Sequence, residues 1–455
     1  MPSEYQAVVI GGGVTGLCTA FYLQRRLGAG AVAVLEANTN PGGTARTDAV
    51  DGFLCDWGPN GFLDREPRTL QWMDDLGLSS DLIKANALAA KRFIMKDGRL
   101  IEIAGPPKFF VSPLLSIPGR LRLMGEPLIR QKADGRPETI WDFAARRIGA
   151  EAADTMVSPM VTGIFGGDAK QLSLEHCFPR MAAMERDYGG LYKALKAKRR
   201  ENKGASAMGP GGTLTTLKQG MGQVASTAQV ALGEHYRSGA AVTTIERLLQ
   251  GFRVSTTDGP ALETKSVVVA VPAYAAASMI NGFDTALSAA LGRIAYADIA
   301  VLCTAYKRDR VGHDMNGFGF LIPRKEGKRT LGCIWTSSLF PHQAPDGWVM
   351  LRSMYGGYTD PDAVRMTDSG MVDCLKREIH PLLKIDGDPD FVRIYRHFAG
   401  IPQYLLHHGE LLAAIEAGEQ RHPGLVFAGN AYRGVGLNDC VLSAHRACDR
   451  LHSLE

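Results

Sequence analysis

Gly11, Gly13 and Gly16 in the run GGGVTG, Glu36 twenty positions later, and Gly42, Gly43 and Arg46 in NPGGTAR put bare backbone, a negative charge and a positive charge within the first 46 residues. Glycines at that spacing let a pyrophosphate approach the main chain, and the acid accepts hydrogen bonds from a ribose diol. Side chains at 42 and 43 would hold such a ligand away. Particular elements must carry these residues. YQAVVI (5–10) is a β-branched, apolar run suited to a buried parallel strand, and LCTAFYLQRRL has apolar residues at helical spacing until Gly28. AVAVLE is a second strand, ending in Glu36. The result is a βαβ unit whose loop, Gly11, Gly12, Gly13, Val14, Thr15 and Gly16, opens onto a helix N-terminus that attracts phosphate. The fingerprint serves NAD and FAD alike. A GGxxR segment following the ribose acid, as in many FAD enzymes, points to FAD.

DGFLCDWGPNGF (51–62) contains Gly58, Pro59, Asn60 and Gly61, a stiff and then open turn of the kind that can lie along an isoalloxazine ring. Near the other end, LVFA leads into Gly429 and Asn430, then Gly434 and Gly436, then SAHRACDRL at helical spacing. This second strand–glycine–helix junction offers a helix N-terminus to the pyrimidine end of a flavin. Two such junctions about 400 residues apart imply one cofactor site assembled from both chain ends.

The remaining composition excludes several functions. The 455 residues are 45% hydrophobic and 22% charged, ordinary for a globular protein and enough for two or more subdomains. A net charge of +4 is too small to suggest a nucleic-acid binder. The eight cysteines form no CxxC pair, so no zinc or other metal site and no disulfide framework is expected, and reduced thiols fit a cytoplasmic setting. AVVIGGGVTGL, broken by a run of three glycines and preceded by Glu4, is not expected to act as a signal peptide, and no stretch reaches the roughly 18 apolar residues of a membrane span.

With these motifs the sequence resembles the protoporphyrinogen oxidase family, FAD-dependent porphyrinogen oxidases of haem synthesis within the amine-oxidase-like flavoproteins. The likeness runs through DFAARRIG (142–149), SPMVTGIFGGDAKQLSL (158–174), VVVAVPAYAA (267–276), GFGFLIP (317–323), IPQY (401–404) and GNAYRGVGLNDC (429–440). It implies an α/β fold: a Rossmann-like FAD-binding domain (1–80, 205–275, 399–455), an interleaved substrate-binding α+β domain (81–105, 276–398) and a mostly helical subdomain (106–204). FAD contacts are implied from the first loop, Glu36, Thr44, Gly58 to Gly61, Val242, Val435, Gly436 and Leu437. FAD is expected to be noncovalent, because GNAYR lacks the cysteine through which some amine oxidases attach flavin. GQVASTAQVAL (222–232) replaces a more aliphatic family stretch, leaving packing there underspecified.

On the substrate side the resemblance implies that Phe318 and Leu321 clamp a tetrapyrrole, that Arg92 meets a propionate, and that the Gly163 carbonyl orients pyrrole N–H groups. The implied chemistry is removal of hydride from a methylene bridge to the flavin, with oxygen as final acceptor. Protoporphyrinogen IX is the leading substrate and coproporphyrinogen III the alternative. An amine oxidase, a carotenoid desaturase and a non-catalytic flavoprotein are the rival readings. Residues 109–123 and 191–204 mix apolar and basic residues as a membrane-surface contact would. A homodimer and transient contact with neighbouring haem-pathway enzymes are further expectations. Pro179 and GASAMGPGG (204–212) are expected to mark a boundary and a flexible connection.

Overall fold

A computed structural model describes residues 4–105, 112–132, 135–201 and 211–452. The first sheet has seven strands around Glu4–Ile10, which pairs in parallel with Val32–Leu35 on one side and Leu262–Val269 on the other. Tyr236–Arg237 extends the sheet beyond Val32–Leu35. The strand Leu262–Val269 is shared. Its first half pairs with the antiparallel ribbon Phe252–Thr256 and Val242–Arg247, and its second half pairs in parallel with Leu425–Phe427. Four consecutive residues of Val32–Leu35 are buried, as a strand covered on both faces requires. The first helix, Val14–Leu27, packs against the C-terminal helix, Leu437–His452. Thr15 Oγ1 donates to the Cys440 carbonyl at 3.3 Å and Arg26 donates to the Cys448 carbonyl at 3.0 Å, so the chain's two ends are joined directly.

The second sheet also has seven strands, in the order Phe391–Gln403, Ala295–Lys307, Trp348–Gly356, Thr330–Trp335, Gly319–Leu321, Arg92–Lys96, Arg99–Glu102. Leu302, Leu351, Tyr355 and Trp335 on one face are buried in a core with Met371, Cys374 and Leu375 of the helix Asp368–Glu378. The opposite face carries half-buried Leu321, Ile334 and Met354. A small sheet, Phe62–Leu63, Leu214–Leu217 and Leu82–Lys84, and the hairpin Thr47–Val50 with Phe53–Asp56 lie between these assemblies in sequence.

Residues 140–201 are mostly helical. Thr139 caps Ile140–Ile148 by accepting from the Asp142 N–H at 3.0 Å, the start that the sequence predicts. Pro179, expected at a boundary, opens the helix Pro179–Tyr188 just after the short helix Leu174–Cys177 ends, and its missing N–H costs nothing there. Most of GASAMGPGG lies outside the described residues. A buried ion network holds the helices together. Fully buried Arg147 is bonded to Glu126 and Glu185, and Arg146 reaches Glu185 and Glu138 at 2.8 and 2.7 Å. All eight cysteines are free thiols. No helix among the described residues is long and apolar enough to cross a membrane.

Candidate active site

The first glycine loop has the tightness its sequence demands. Gly11 sits at φ +106°, a conformation side chains disfavour, and a Cβ on Gly16 would lie 1.8 Å from the Gly11 carbonyl oxygen. Gly13 caps the first helix, with Val14 and Thr15 buried in its first turn and open space where a Gly13 Cβ would point. Glu36 is bound from several directions. The Gly12 N–H donates to its Oε2 at 2.6 Å, and the Asn38 N–H and Nδ2 donate to its Oε1 at 2.8 and 2.7 Å. A carboxylate has about four acceptor positions, so room remains for a ribose hydroxyl. The Ala240 N–H donates to the Glu36 carbonyl at 2.8 Å, which brings the segment leading to Val242 alongside this acid.

The GGxxR segment packs on that loop: the Gly42 N–H donates to the Gly12 carbonyl at 2.7 Å, and a Cβ on Gly43 would be 3.6 Å from Gly13 Cα. Arg46 braces the segment by donating to the Asn40 carbonyl at 2.8 Å and lying over the Trp57 ring, 5.2 Å from its centroid. Exposed Thr44 and the turn Gly58, Pro59, Asn60, Gly61 meet next, since a Cβ on Gly58 would be 2.5 Å from the Thr44 carbonyl oxygen. At the far junction, Gly429 has φ +129° with open space beside it, and its N–H donates to Ser443 Oγ at 2.9 Å. Val435 and Gly436 lead into buried Leu437, and Asn438 Nδ2 donates to the Leu63 carbonyl at 2.9 Å, tying this helix start to the segment after the turn. The Gly436 N–H donates to Asp439 at 3.1 Å. Burial raises the Asp439 carboxyl pKa above its usual range against the pull of that bond.

Arg46 Nε, Trp57 Nε1, Asn60 Nδ2, Tyr236 OH, Arg352 Nε and Asn438 Oδ1 are buried without hydrogen-bond partners. Native interiors leave few such atoms, and these border the glycine junctions. A polar ligand running from Glu36 to the C-terminal helix would satisfy them. The residues present therefore fit FAD.

The four substrate candidates also come together. Gly319 pairs with Arg92 across adjacent strands, and the Arg92 guanidinium lies 5.1 Å from the centroid of half-buried Phe318. Leu321 is two residues along the same strand, and a Cβ on Gly163 would be 2.8 Å from its Cδ2, so the helix Ser158–Phe165 covers the half-buried face of the second sheet. Arg352 and Asp56 were not evident from sequence. Arg352 stands on the same face, through the pairs Arg92–Gly319, Gly319–Ile334 and Ile334–Arg352, and donates to the Gly58 carbonyl. Asp56 Oδ1 accepts from Thr47 Oγ1 at 2.6 Å and the Met221 N–H at 2.9 Å, and Oδ2 accepts from Gln343 at 3.1 Å. Burial raises its pKa, opposed by these bonds and by the Arg352 charge. A lone arginine in the apolar run WVMLRSMYG is the one signal that could have flagged Arg352. A separate cavity of about 280 Å³ lies against the C-terminal helix at Tyr432, Arg433, Ser443 and Arg446, and none of the predicted site residues lines it.

Glycine junctions from both chain ends, a buried acid beside the first of them and an adjoining half-buried sheet face fit a flavin-dependent oxidoreductase. The profile of the flavin containing amine oxidoreductase family matches residues 14–452, and the chain belongs to that family. It is 31% identical over 98% of its length, and 87% of the relative's, to the chloroplastic protoporphyrinogen oxidase of Oryza sativa subsp. japonica. It is 28% identical to the coproporphyrinogen III oxidase of Bacillus subtilis (strain 168), over 95% of both chains. Its fold matches a crystal structure from Exiguobacterium sp. 255-15, provisionally described as a protoporphyrinogen oxidase, with TM-score 0.85, 22% identity and 99% coverage of both chains.

Proposed function

We propose that this enzyme oxidises a porphyrinogen to a porphyrin in haem biosynthesis, with protoporphyrinogen IX the leading substrate. The carrying observation is the half-buried face of the second sheet. Leu321 beneath Gly163, Ile334 and Met354 form an apolar floor, Phe318 stands at its side, and Arg92 supplies a cation at its edge. A tetrapyrrole with apolar rings and rim carboxylates has that chemistry. The relatives named for protoporphyrinogen and coproporphyrinogen oxidation support the reading, and the Bacillus subtilis relative favours coproporphyrinogen III as the second.

FAD, when bound, accepts the hydride removed from the substrate carbon. The chain's own residues position and shield. Glu36 and the first loop anchor the nucleotide end, held noncovalently, while the turn 58–61 and residues 435–437 bound the ring. Phe318 from the side and Leu321 from the floor clamp the macrocycle and exclude water. The Gly163 carbonyl accepts from pyrrole N–H groups, and Arg92 fixes the rim. Positioning dominates, and no strong acid or base is required. In this arrangement residues 1–80, 205–275 and 399–455 form the cofactor part, 81–105 and 276–398 the substrate part and 106–204 the helical part. Oxygen is the final acceptor.

The helical part rests on a membrane surface in this reading. Ile117, Leu121, Met124 and Leu128 are exposed at helical spacing, while Arg120 and Arg122 turn back to the carbonyls of Leu115, Arg146 and Arg147. Residues 109–111 and 202–204 of the two basic-apolar segments lie outside the described residues. The enzyme works in the cytoplasm, as a homodimer and in transient contact with the enzymes before and after it. Side-by-side aerobic oxidation of both porphyrinogens, followed by porphyrin fluorescence, tests the main reading. Porphyrin formation above the uncatalysed rate is expected, and none from either substrate would refute it. Flotation with anionic liposomes tests the surface contact, and protein left wholly in the soluble fraction would dismiss it.

A further inference from the structure

Arg352 lies in the middle of the second sheet and is nearly fully buried. Among the described residues it forms no salt bridge. Its one side-chain hydrogen bond among them is donated to the Gly58 carbonyl, and its Nε is buried without a partner. Asp56 feels the Arg352 charge, while its two oxygens accept from Thr47, Met221 and Gln343 and no hydrogen bond from Arg352 reaches them among the described residues. A guanidinium has five N–H donors, so one bonded to a single carbonyl keeps donors for a further acceptor.

Its surroundings say what that is. The Gly58 turn is bounded by Thr44 on one side and, through Leu63, by Asn438 of the C-terminal helix on another. The unpartnered Asn60 Nδ2 is on this turn, the unpartnered Arg352 Nε belongs to the side chain bonded to Gly58, and the unpartnered Asn438 Oδ1 to the side chain bonded to Leu63. The N-terminus of the C-terminal helix, the other source of positive potential, is partly occupied, since the Gly436 N–H donates to Asp439. Arg92, the cation on the same sheet face, is three strand spacings of about 4.8 Å away, roughly 14 Å.

We propose that Arg352 is a positioning residue that holds the 58–61 turn and presents a fixed positive charge to the isoalloxazine ring, favouring the ring's reduced form. The inference rests on the FAD reading above. Two electrons and one proton added to the ring leave it with one net negative charge, and a nearby cation stabilises that form over the neutral oxidised one. A buried charge does this more effectively than an exposed one, because screening by water and salt is weaker.

The experiment uses the FAD-loaded full chain without substrate, as wild type, Arg352→Met, Arg352→Lys and Arg92→Met. Midpoint potentials are measured anaerobically against reference dyes. Arg352→Met is expected to disfavour the reduced form at least tenfold, a downward shift of about 30 mV for a two-electron couple. Arg352→Lys is expected to recover at least half of that, and Arg92→Met to leave the potential in place. An unshifted potential in flavin-loaded Arg352→Met overturns the proposal. So does a changed KM for the tetrapyrrole with no change in potential, which would make Arg352 a substrate contact. If Arg352→Met loses its flavin, Arg352→Gln and Arg352→Lys carry the comparison at matched flavin content. A higher potential with lysine supports the proposal, and equal potentials overturn it. Wild type that takes up no FAD sinks the cofactor reading as well, which distinguishes that failure from this one.

Discussion

Replacing Glu36 by glutamine tests the nucleotide site at its most constrained point. Three protein donors converge on this carboxylate: the Gly12 N–H on Oε2, and the Asn38 N–H and Nδ2 on Oε1. Glutamine must turn its amide NH2 toward one of these groups. In one orientation it faces the Gly12 N–H across a contact of 2.6 Å, and in the other it faces both Asn38 donors. Either way a donor meets a donor. The ribose diol also loses a charged acceptor, and a charge-assisted bond exceeds a neutral one by about 1 kcal/mol. With three of the carboxylate's roughly four acceptor positions taken by the protein, one such bond is at stake, about 1 kcal/mol or roughly fivefold in Kd. Titrating apoprotein with FAD and following flavin fluorescence quenching measures this directly. A thermal melt of the apoprotein separates the internal donor clash from the ligand term. A Kd within twofold of wild type, with the apoprotein folded, would refute the assignment of Glu36 to the ribose.

Gly163→Val is expected to cut turnover at least tenfold with flavin content unchanged, because even the first added carbon meets Leu321 Cδ2 at 2.8 Å; full activity by porphyrin fluorescence would remove this helix from the slot. Phe318→Ala should raise KM or lower kcat while retaining FAD, and Arg92→Ala should weaken discrimination among tetrapyrroles differing in carboxylates, both read by steady-state kinetics. Arg147→Ala leaves Glu126 buried without its partner and should cost about 3–5 kcal/mol, seen as an earlier urea midpoint. For Asp284, burial pushes the carboxyl upward, but the Leu287 N–H, Arg421 and His422 outweigh it and hold the pKa near about 2, against an ordinary 3.8. Its stabilisation is therefore complete above 3.8 and fades as pH falls toward about 2, and Asp284→Asn should flatten that limb of the stability profile.

The first glycine loop was legible where backbone geometry admits one residue type. Gly11 at φ +106° and Gly16 against the Gly11 carbonyl leave no alternative, so the motif is a statement about structure. The small residues of 222–232 were harder to read. They leave the packing underspecified, and the structure shows what they serve: a Cβ on Gly42 would lie 3.0 Å from Ala225 Cβ, so the close approach of this helix to the glycine pair depends on a small side chain. Pro179 marks the junction between the helices Leu174–Cys177 and Pro179–Tyr188, a place a proline suits because the first turn of a helix does not need its N–H. Arg352 and Asp56 escaped notice for a different reason. Their importance comes from strand register and from contacts spanning 294 and 165 residues, and local spacing records neither.

The most direct measurement is anaerobic mixing of FAD-loaded protein with a porphyrinogen, with flavin absorbance and porphyrin fluorescence recorded together. The flavin should bleach as porphyrin fluorescence rises, and acid denaturation should afterwards release the cofactor unmodified. Folded, flavin-loaded protein that stays fully oxidised with both protoporphyrinogen and coproporphyrinogen would contradict a tetrapyrrole slot beside this cofactor.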